Sequence, residues 1–160
     1  MCPVPEFVVV ALLEPADHEF DRARWPLHVT LLTNFAFEGG ADEVVALMRP
    51  IASDFTPIPI WPGPRDRFGP DRDIAVVRVE PVTPLATLHD ALASAIMGAG
   101  GRMLVPYWGA NFAPHVTNTA LRTFDEDIVV EAITLVEILP IEQGDRCRVL
   151  AELRLAASLG

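Results

Sequence analysis

The sequence predicts an α+β fold with internal pseudo-symmetry, and three observations support this prediction. Short apolar segments and two segments of helical periodicity alternate in the order strand, strand, helix, strand, strand, helix, strand, strand, strand. The first six of these elements form two strand-strand-helix units of similar size. The triplet His-Val-Thr also occurs twice, at residues 28–30 and 115–117, each time within two residues of a preceding proline.

Length and composition indicate one soluble globular domain. The chain has 160 residues, of which 51% are hydrophobic and 21% are charged. This length is enough to bury a substantial core but too short for two ordinary domains. We therefore expect a single domain of two similar halves over residues 1–160.

The charge argues against long nucleic acid as a partner. The formal net charge is -10, from 22 acidic against 12 basic residues, and every basic residue is arginine. A protein that binds a long phosphate backbone by neutralising it is usually basic. A small anion responds instead to the local field of a cleft, so the net charge says little about a small anionic ligand.

The cysteines and the N-terminal segment predict a cytoplasmic protein, for which we expect a monomer without a membrane partner. Cys2 and Cys147 lie in no metal-ligand spacing and are expected to be free thiols in a reducing compartment. Residues 7–13, FVVVALL, are too few to span a membrane and no basic residue precedes them. They are predicted to form a buried strand.

The first half of the chain is predicted to contain two strands and a helix. Residues 8–13 and 27–34 are the strands, separated by a polar loop with two prolines. The helix is predicted over residues 41–54, because Val44, Met48 and Ile51 recur at helical spacing. Pro50 is expected to kink or shorten it.

The second half repeats this order. Residues 56–73 are rich in proline and are predicted to be an edge strand running into an exposed loop, followed by the strand IAVVRVEP. A helix is predicted to be capped by Thr83, to begin at Pro84 and to end at Gly98. Further strands are predicted near residues 115–121, 128–139 and 146–156.

The two triplets have the side chains for general acid/base chemistry. Alternate side chains of a strand share a face, so His28 lies beside Thr30 and His115 beside Thr117, while each central valine faces the core. Two imidazoles can hold opposite protonation states near neutral pH. Hydroxyls can donate to an oxygen on which charge develops. The pattern favours phosphodiester hydrolysis without a metal or another cofactor.

The two triplets resemble the His-x-Thr/Ser motifs of the two-histidine (2H) phosphoesterase superfamily, and the resemblance covers nearly the whole chain. It implies a bilobal fold of two antiparallel sheets, with helices on the outside and a central groove that bears both motifs. It also implies that His28 and His115 are the catalytic acid/base pair and that Thr30 and Thr117 bind the phosphate.

One position departs from this family pattern. Many bacterial members have a basic residue five positions after the second histidine, where this chain has Ala120. Arg122 lies two residues further and has the same strand parity. It is a candidate to replace the missing charge in part.

Other residues have a functional and a structural interpretation. Aromatic residues precede both triplets and are candidates for base stacking, with Trp108 first and ordinary packing as the alternative: Trp25 before the first, and Tyr107, Trp108 and Phe112 before the second. His89 is expected to be partly exposed and structural. The arginines Arg22, Arg24, Arg65, Arg67 and Arg72 could clamp a phosphate, but we expect them to be solvated and paired with nearby acids. His18 has acidic neighbours, but these lack a metal-binding spacing.

We therefore expect a metal-independent phosphodiesterase that hydrolyses a small RNA-derived or nucleotide 2′,3′-cyclic phosphate or a 2′-5′ linkage. The alternative is a catalytically weak module of the same fold that binds a nucleotide or an RNA end. A third interpretation is a structural domain in which the triplets only complete strand edges. An assay of turnover distinguishes the first two interpretations. Protection of the histidines by phosphate or nucleotide in an NMR titration distinguishes both of them from the third.

Overall fold

The computed structural model describes residues 3–119 and 122–157, which form two antiparallel sheets and two α-helices. This architecture confirms the predicted α+β class. The elements in chain order are β1 (Glu6–Leu12), β2 (Glu19–Asp21), β3 (His28–Ala36), α1 (Ala41–Asp54), β4 (Ile58–Phe68), β5 (Ile74–Glu80), α2 (Val82–Gly98), β6 (Arg102–Met103), β7 (His115–Thr117), β8 (Ile128–Val130), β9 (Ala132–Ile138) and β10 (Arg146–Arg154).

The larger sheet has six strands in the order β2-β10-β9-β1-β3-β6. Its central strand β1 is buried on both faces, which explains why its apolar residues are continuous and not alternating. Phe7 and Val9 pack into the core cluster that also contains helix residues, whereas Val8 and Val10 belong to a smaller cluster on the opposite face. The helices therefore pack on one face of the larger sheet, and the smaller cluster lies on its other face.

The smaller sheet has four strands in the order β7-β5-β4-β8. Strand β4 pairs with β8 only through Ile58–Ile60 and with β5 only from Trp61 onward. Most of β4 therefore has one hydrogen-bonded side, which is compatible with prolines that have no N–H to donate. The predicted exposed loop within residues 56–73 is largely strand, so that part of the prediction was wrong.

The helix predicted over residues 41–54 is confirmed at both ends. Its buried residues Val44, Met48 and Ala52 are four apart, and Asp42 lies in the first turn, where the helix dipole favours an acid. Pro50 lies on the exposed side, and the helix continues beyond it to Asp54.

The second helix begins earlier than predicted. It starts at Val82, with Pro81 as the N-cap residue, so Thr83 lies inside the first turn and is not the cap. The Thr83 carbonyl instead accepts a hydrogen bond from the Thr87 hydroxyl at 3.0 Å. The predicted end at Gly98 is confirmed.

The single strand predicted over residues 128–139 was also wrong. Exposed Glu131 separates β8 from β9, and these two strands lie in different sheets. Apolar periodicity does not reveal such a transfer between sheets, because both strands have buried residues. Strand β7 ends at Thr117, and residues 120 and 121 of the predicted longer strand lie outside the described residues.

Of the two cysteines, Cys147 lies among the described residues. Cys147 is a free thiol, fully buried in the smaller cluster, and burial raises its pKa to about 11. It is therefore a core residue and not a reactive nucleophile. Cys2 lies outside the described residues.

The end of α2 gives a matched stability prediction. A Cβ atom added at Gly98 meets nothing within 4 Å, whereas one added at Gly101 lies 2.8 Å from the Ile96 carbonyl oxygen. We expect Gly98→Ala to raise the free energy of unfolding by roughly 0.4–1 kcal/mol, because it restricts the unfolded chain. Gly101→Ala should lower it by about 1–3 kcal/mol through overcrowding. Urea denaturation measures both, and equal effects would contradict the described turn.

Candidate active site

The two triplets lie on strands of different sheets that contact each other. His28 and Thr30 are on β3 of the larger sheet, and His115 and Thr117 are on β7, the edge strand of the smaller sheet. β3 and β7 are in contact, although they are not hydrogen-bonded neighbours. The fold thus brings together two segments that are far apart in the chain.

The two histidine rings are held in the same way. His28 Nδ1 lies 2.8 Å from the Pro26 carbonyl oxygen, and His115 Nδ1 lies 2.8 Å from the Ala113 carbonyl oxygen. A carbonyl oxygen can only accept, so each Nδ1 carries the hydrogen and donates it to the residue two positions earlier. Each neutral ring therefore has an unprotonated Nε2 with a free lone pair.

Burial lowers the pKa of both rings and so favours their neutral form. Desolvation is the largest cause of the lowered pKa of His28, and the charge on His115 lowers this pKa further. The pKa of His115 is lowered mainly by desolvation and further by Arg78. The effect of His115 on the pKa of His28 is consistent with the contact between β3 and β7.

A groove of about 1110 Å³ lies beside the first triplet and reaches the second one. His28, Thr30 and Thr117 are among the residues that line it. His115 is not among them, and its ring packs edge-on against Phe68 with a centroid distance of 4.5 Å. The groove therefore joins three of the four predicted residues, and His115 lies two residues before the lining residue Thr117 on β7, which contacts β3.

The threonine hydroxyls are available for a ligand. Thr30 is partly buried and Thr117 is exposed. Within the described ranges, neither hydroxyl makes a hydrogen bond to another residue. Each lies on the same strand face as the histidine of its triplet. Both can donate to an oxygen in the groove.

Arginines outnumber acids along the lining of the groove, although Arg22 also pairs with Asp145 at 3.8 Å. Arg22, Arg24 and Arg122 line it, whereas Glu14 is its one acidic lining residue among those described. Arg122 pairs with Glu14 at 3.0 Å, and the second oxygen of Glu14 accepts the Leu27 backbone N–H at 2.9 Å. Arg122 therefore lies at the groove, whereas the Ala120 position lies outside the described residues.

Trp25 is an aromatic residue that both contacts His28 and lines the groove. Its ring centroid lies 4.7 Å from that of His28, and it lines the groove. The other three aromatic candidates for stacking from the sequence, Tyr107, Trp108 and Phe112, do not line the groove. Phe112 packs against the core, and one face of its ring is covered by His89.

Sequence patterns miss Arg78, the cross-strand neighbour of His115. The two residues are paired between β5 and β7. The Arg78 guanidinium lies 2.7 Å from an Asp66 carboxylate oxygen, and its carbon lies 5.2 Å from the centre of the Phe68 ring. These contacts hold a positive charge near His115. They depend on strand pairing, which a single sequence does not give.

His89 differs from the sequence expectation. It was expected to be partly exposed, but it is fully buried and hydrogen-bonded through both ring nitrogens. Of the three arginines predicted for one loop, Arg72 pairs with Asp66 at 3.5 Å as expected, whereas Arg65 and Arg67 lie in strand β4. Across the described ranges, no group of three or more His, Cys, Asp or Glu side chains is arranged to hold a metal ion. No described helix is long and apolar enough to cross a membrane.

Comparisons with known proteins agree with this architecture. TT0787 of Thermus thermophilus has a TM-score of 0.63 at 20% sequence identity, over 96% of this chain and 99% of that one. E. coli LigT complexed with NADP+ gives 0.59 at 17% identity, over 96% and 98%. LigT complexed with 3′-AMP gives 0.56 at 19% identity, over the same shares. These structures share the bilobal fold of two antiparallel sheets.

The fold and the paired His-x-Thr strands define a two-histidine phosphoesterase architecture. A family model described as the 2′-5′ RNA ligase superfamily matches residues 7–139. The chain therefore belongs to this superfamily, the 2H phosphoesterases. None of the curated proteins matches it.

Titration tests the interaction between the two rings. In an NMR pH titration of the ring protons, we expect His28 and His115 to have midpoints below 6.5, because burial disfavours the charged form. His115→Gln should raise the pKa of His28, since it removes a positive charge. His18→Gln, in an exposed loop, is the control and should leave that pKa unchanged. An unchanged His28 midpoint in His115→Gln would show that the rings do not interact.

Proposed function

We propose that this protein is a metal-independent phosphodiesterase that hydrolyses a small RNA-derived or nucleotide 2′,3′-cyclic phosphate or 2′-5′ phosphodiester. His28 and His115 act as the general acid and base. Thr30 and Thr117 bind the nonbridging phosphate oxygens. The superfamily of the chain agrees with this chemistry but does not specify the substrate.

The observation that carries this proposal is the matched anchoring of the two rings. Each Nδ1–H donates to a carbonyl two residues earlier, so each Nε2 is the nitrogen left to exchange a proton with a substrate. Each ring also has a free hydroxyl two residues later on the same strand face. A structural role for the triplets does not require this duplication at two interacting rings.

In the proposed reaction, one neutral Nε2 takes a proton from water as the water oxygen attacks phosphorus. The bond from phosphorus to the ribose oxygen breaks, and the other imidazole, protonated at Nε2, gives its proton to that oxygen. A cyclic phosphate becomes a phosphate monoester with one free ribose hydroxyl. The threonine hydroxyls stabilise the charge that develops on the nonbridging oxygens.

The groove supports a small anionic substrate. Its arginines provide a positive field at the site despite the net charge of -10. Trp25 gives an aromatic surface beside His28 on which a base can stack. The similar structures of LigT are complexes with 3′-AMP and with NADP+, which are small nucleotide ligands. Base stacking by Tyr107, Trp108 or Phe112 stays a prediction, because these residues do not line the groove.

The alternative function is a nucleotide-binding or RNA-end-binding module with weak turnover. The lowered pKa of both rings favours it, because a ring that resists protonation is a poor general acid at neutral pH. This alternative predicts that nucleotides perturb the His28 and His115 resonances while no product forms.

Turnover of 2′,3′-cyclic mononucleotides in the presence of EDTA tests the roles of the four residues. We expect His28→Ala and His115→Ala to lower kcat/KM by about 10²–10⁴-fold, the usual contribution of a general acid or base. Thr30→Val and Thr117→Val should lower it on the order of 10²-fold, because they keep the side-chain shape and remove a donor.

The controls for this assay are His18→Ala and Thr56→Val, which change exposed residues outside the groove. Both should retain wild-type kcat/KM. Activity that EDTA abolishes would refute the metal-independent mechanism. Nucleotide binding without turnover in the wild type would support the alternative function.

The dependence of kcat/KM on pH should be bell-shaped, with its centre below pH 6.5. The active form has one neutral and one protonated ring, and this form is most abundant between the two macroscopic pKa values. Both histidines have a pKa below the ordinary value of 6.5, so the midpoint also lies below it. Initial rates at substrate concentrations below KM measure this profile. A single limb, or a centre above pH 7, would contradict the two-histidine scheme.

A further inference from the structure

The bulge that follows the first triplet has a specific hydrogen-bond partner. In the pairing of β3 with β1, Thr30 lies opposite Val10 and Leu32 lies opposite Val9, so Leu31 has no partner. On the other side of β3, β6 pairs only with Phe35 and Ala36. A bulge residue is left outside the ladder and changes the direction of the neighbouring side chains.

His89 of α2 is the hydrogen-bond partner of the carbonyl group in this bulge. Its Nδ1 lies 2.7 Å from the Leu31 carbonyl oxygen, in a position where the ring is fully buried. The carbonyl can only accept, so Nδ1 carries the hydrogen. A buried carbonyl without this donor would lose a hydrogen bond that water cannot replace.

The same ring holds the segment that leads into the second triplet. The Gly109 N–H donates to His89 Nε2 at 2.9 Å, and the Phe112 ring stacks on the imidazole at 4.1 Å with an angle of 6°. Because a backbone N–H can only donate, Nε2 has no hydrogen, and His89 is neutral. Phe112 lies three residues before His115.

One buried imidazole thus connects both triplets. The Leu31 contact is adjacent to Thr30, and the Phe112 contact is close to His115 in the chain. We propose that His89 is a positioning residue: its neutral ring fixes the placement of the first histidine-threonine pair relative to the second. His89 does not reach the reacting atoms itself. The inference deepens the proposed function and rests on it wherever activity is the measurement.

Variants of His89 separate its polar contacts from its packing. His89→Phe keeps a flat ring against Phe112 but provides neither the donor to Leu31 nor the acceptor for Gly109. His89→Gln has one amide donor and one amide acceptor and is the conservative rescue variant. Leu92→Ala, a buried apolar residue on the same helix, is the control for lost stability.

We expect His89→Phe to lower kcat/KM on the order of 10²-fold, the effect typical of a displacement of about 1 Å at an active site. Most of this loss should be in kcat, because the groove residues that bind substrate are unchanged. His89→Gln should recover most of the activity. Leu92→Ala should lower the melting temperature and leave the kcat/KM of the folded protein near wild type.

A second measurement does not depend on turnover. In the wild type, His115→Gln should raise the pKa of His28, and this change measures how closely the two rings interact. In the His89→Phe background the change should shrink. The wild-type protein could lack phosphodiesterase activity while the pKa change of His28 is still smaller in the His89→Phe background. In that case the proposed function fails and the positioning role of His89 stands.

Two results would overturn the inference. One is His89→Phe with wild-type kcat/KM and an unchanged interaction between His28 and His115, which would make His89 an ordinary core residue. The other is a wild-type ring with hydrogen on Nε2, detected from the imidazole ¹⁵N chemical shifts. Should His89→Phe not fold, His89→Asn replaces it. The amide of asparagine is too short to reach both partners, so the same loss of activity is expected.

Discussion

The hydrogen bond from each imidazole Nδ1–H to the carbonyl two residues earlier is the interaction on which the site depends. It makes the tautomer of His28 and His115 a consequence of local backbone geometry. A free imidazole exchanges between two tautomers and rotates about two side-chain bonds. An anchored ring presents the same nitrogen at all times, which lowers the cost of organising a proton transfer. The proline near each histidine restricts the backbone that supplies the acceptor carbonyl.

Local anchoring explains each triplet, but a long-range constraint explains why they act together. β3 and β7 belong to different sheets, so no ladder hydrogen bond sets the distance between them. Their relative position depends on packing in the shared core and on contacts such as those of His89, which reach both segments. A helix buried against β3 is well suited to this task, because its backbone is already satisfied internally. Its side chains are then free to complete the irregular backbone of its neighbours.

Sequence patterns predicted the features that depend on local periodicity. The spacing of Val44, Met48 and Ile51 predicts α1, and the alternation in each triplet places histidine and threonine on one face. The patterns failed where two distant segments decide the outcome. The division at Glu131 depends on which sheet each strand joins, and the burial of His89 depends on a bulge and a loop at other positions in the chain. Arg78 was missed because its proximity to His115 arises from pairing between β5 and β7.

The electrostatics of the free site differ from those of a site that holds a phosphodiester. Desolvation lowers the pKa of both rings in the free protein, and Arg78 lowers the pKa of His115 further. A phosphodiester anion near the rings acts in the opposite direction, because an opposite charge at short distance favours the imidazolium form. Since the two rings also repel each other when both are charged, the anion favours a state with one proton on the pair. This is the state that general acid/base catalysis requires. The bound substrate therefore helps to create the protonation state that acts on it, and the groove arginines attract the anion without fixing which ring is charged.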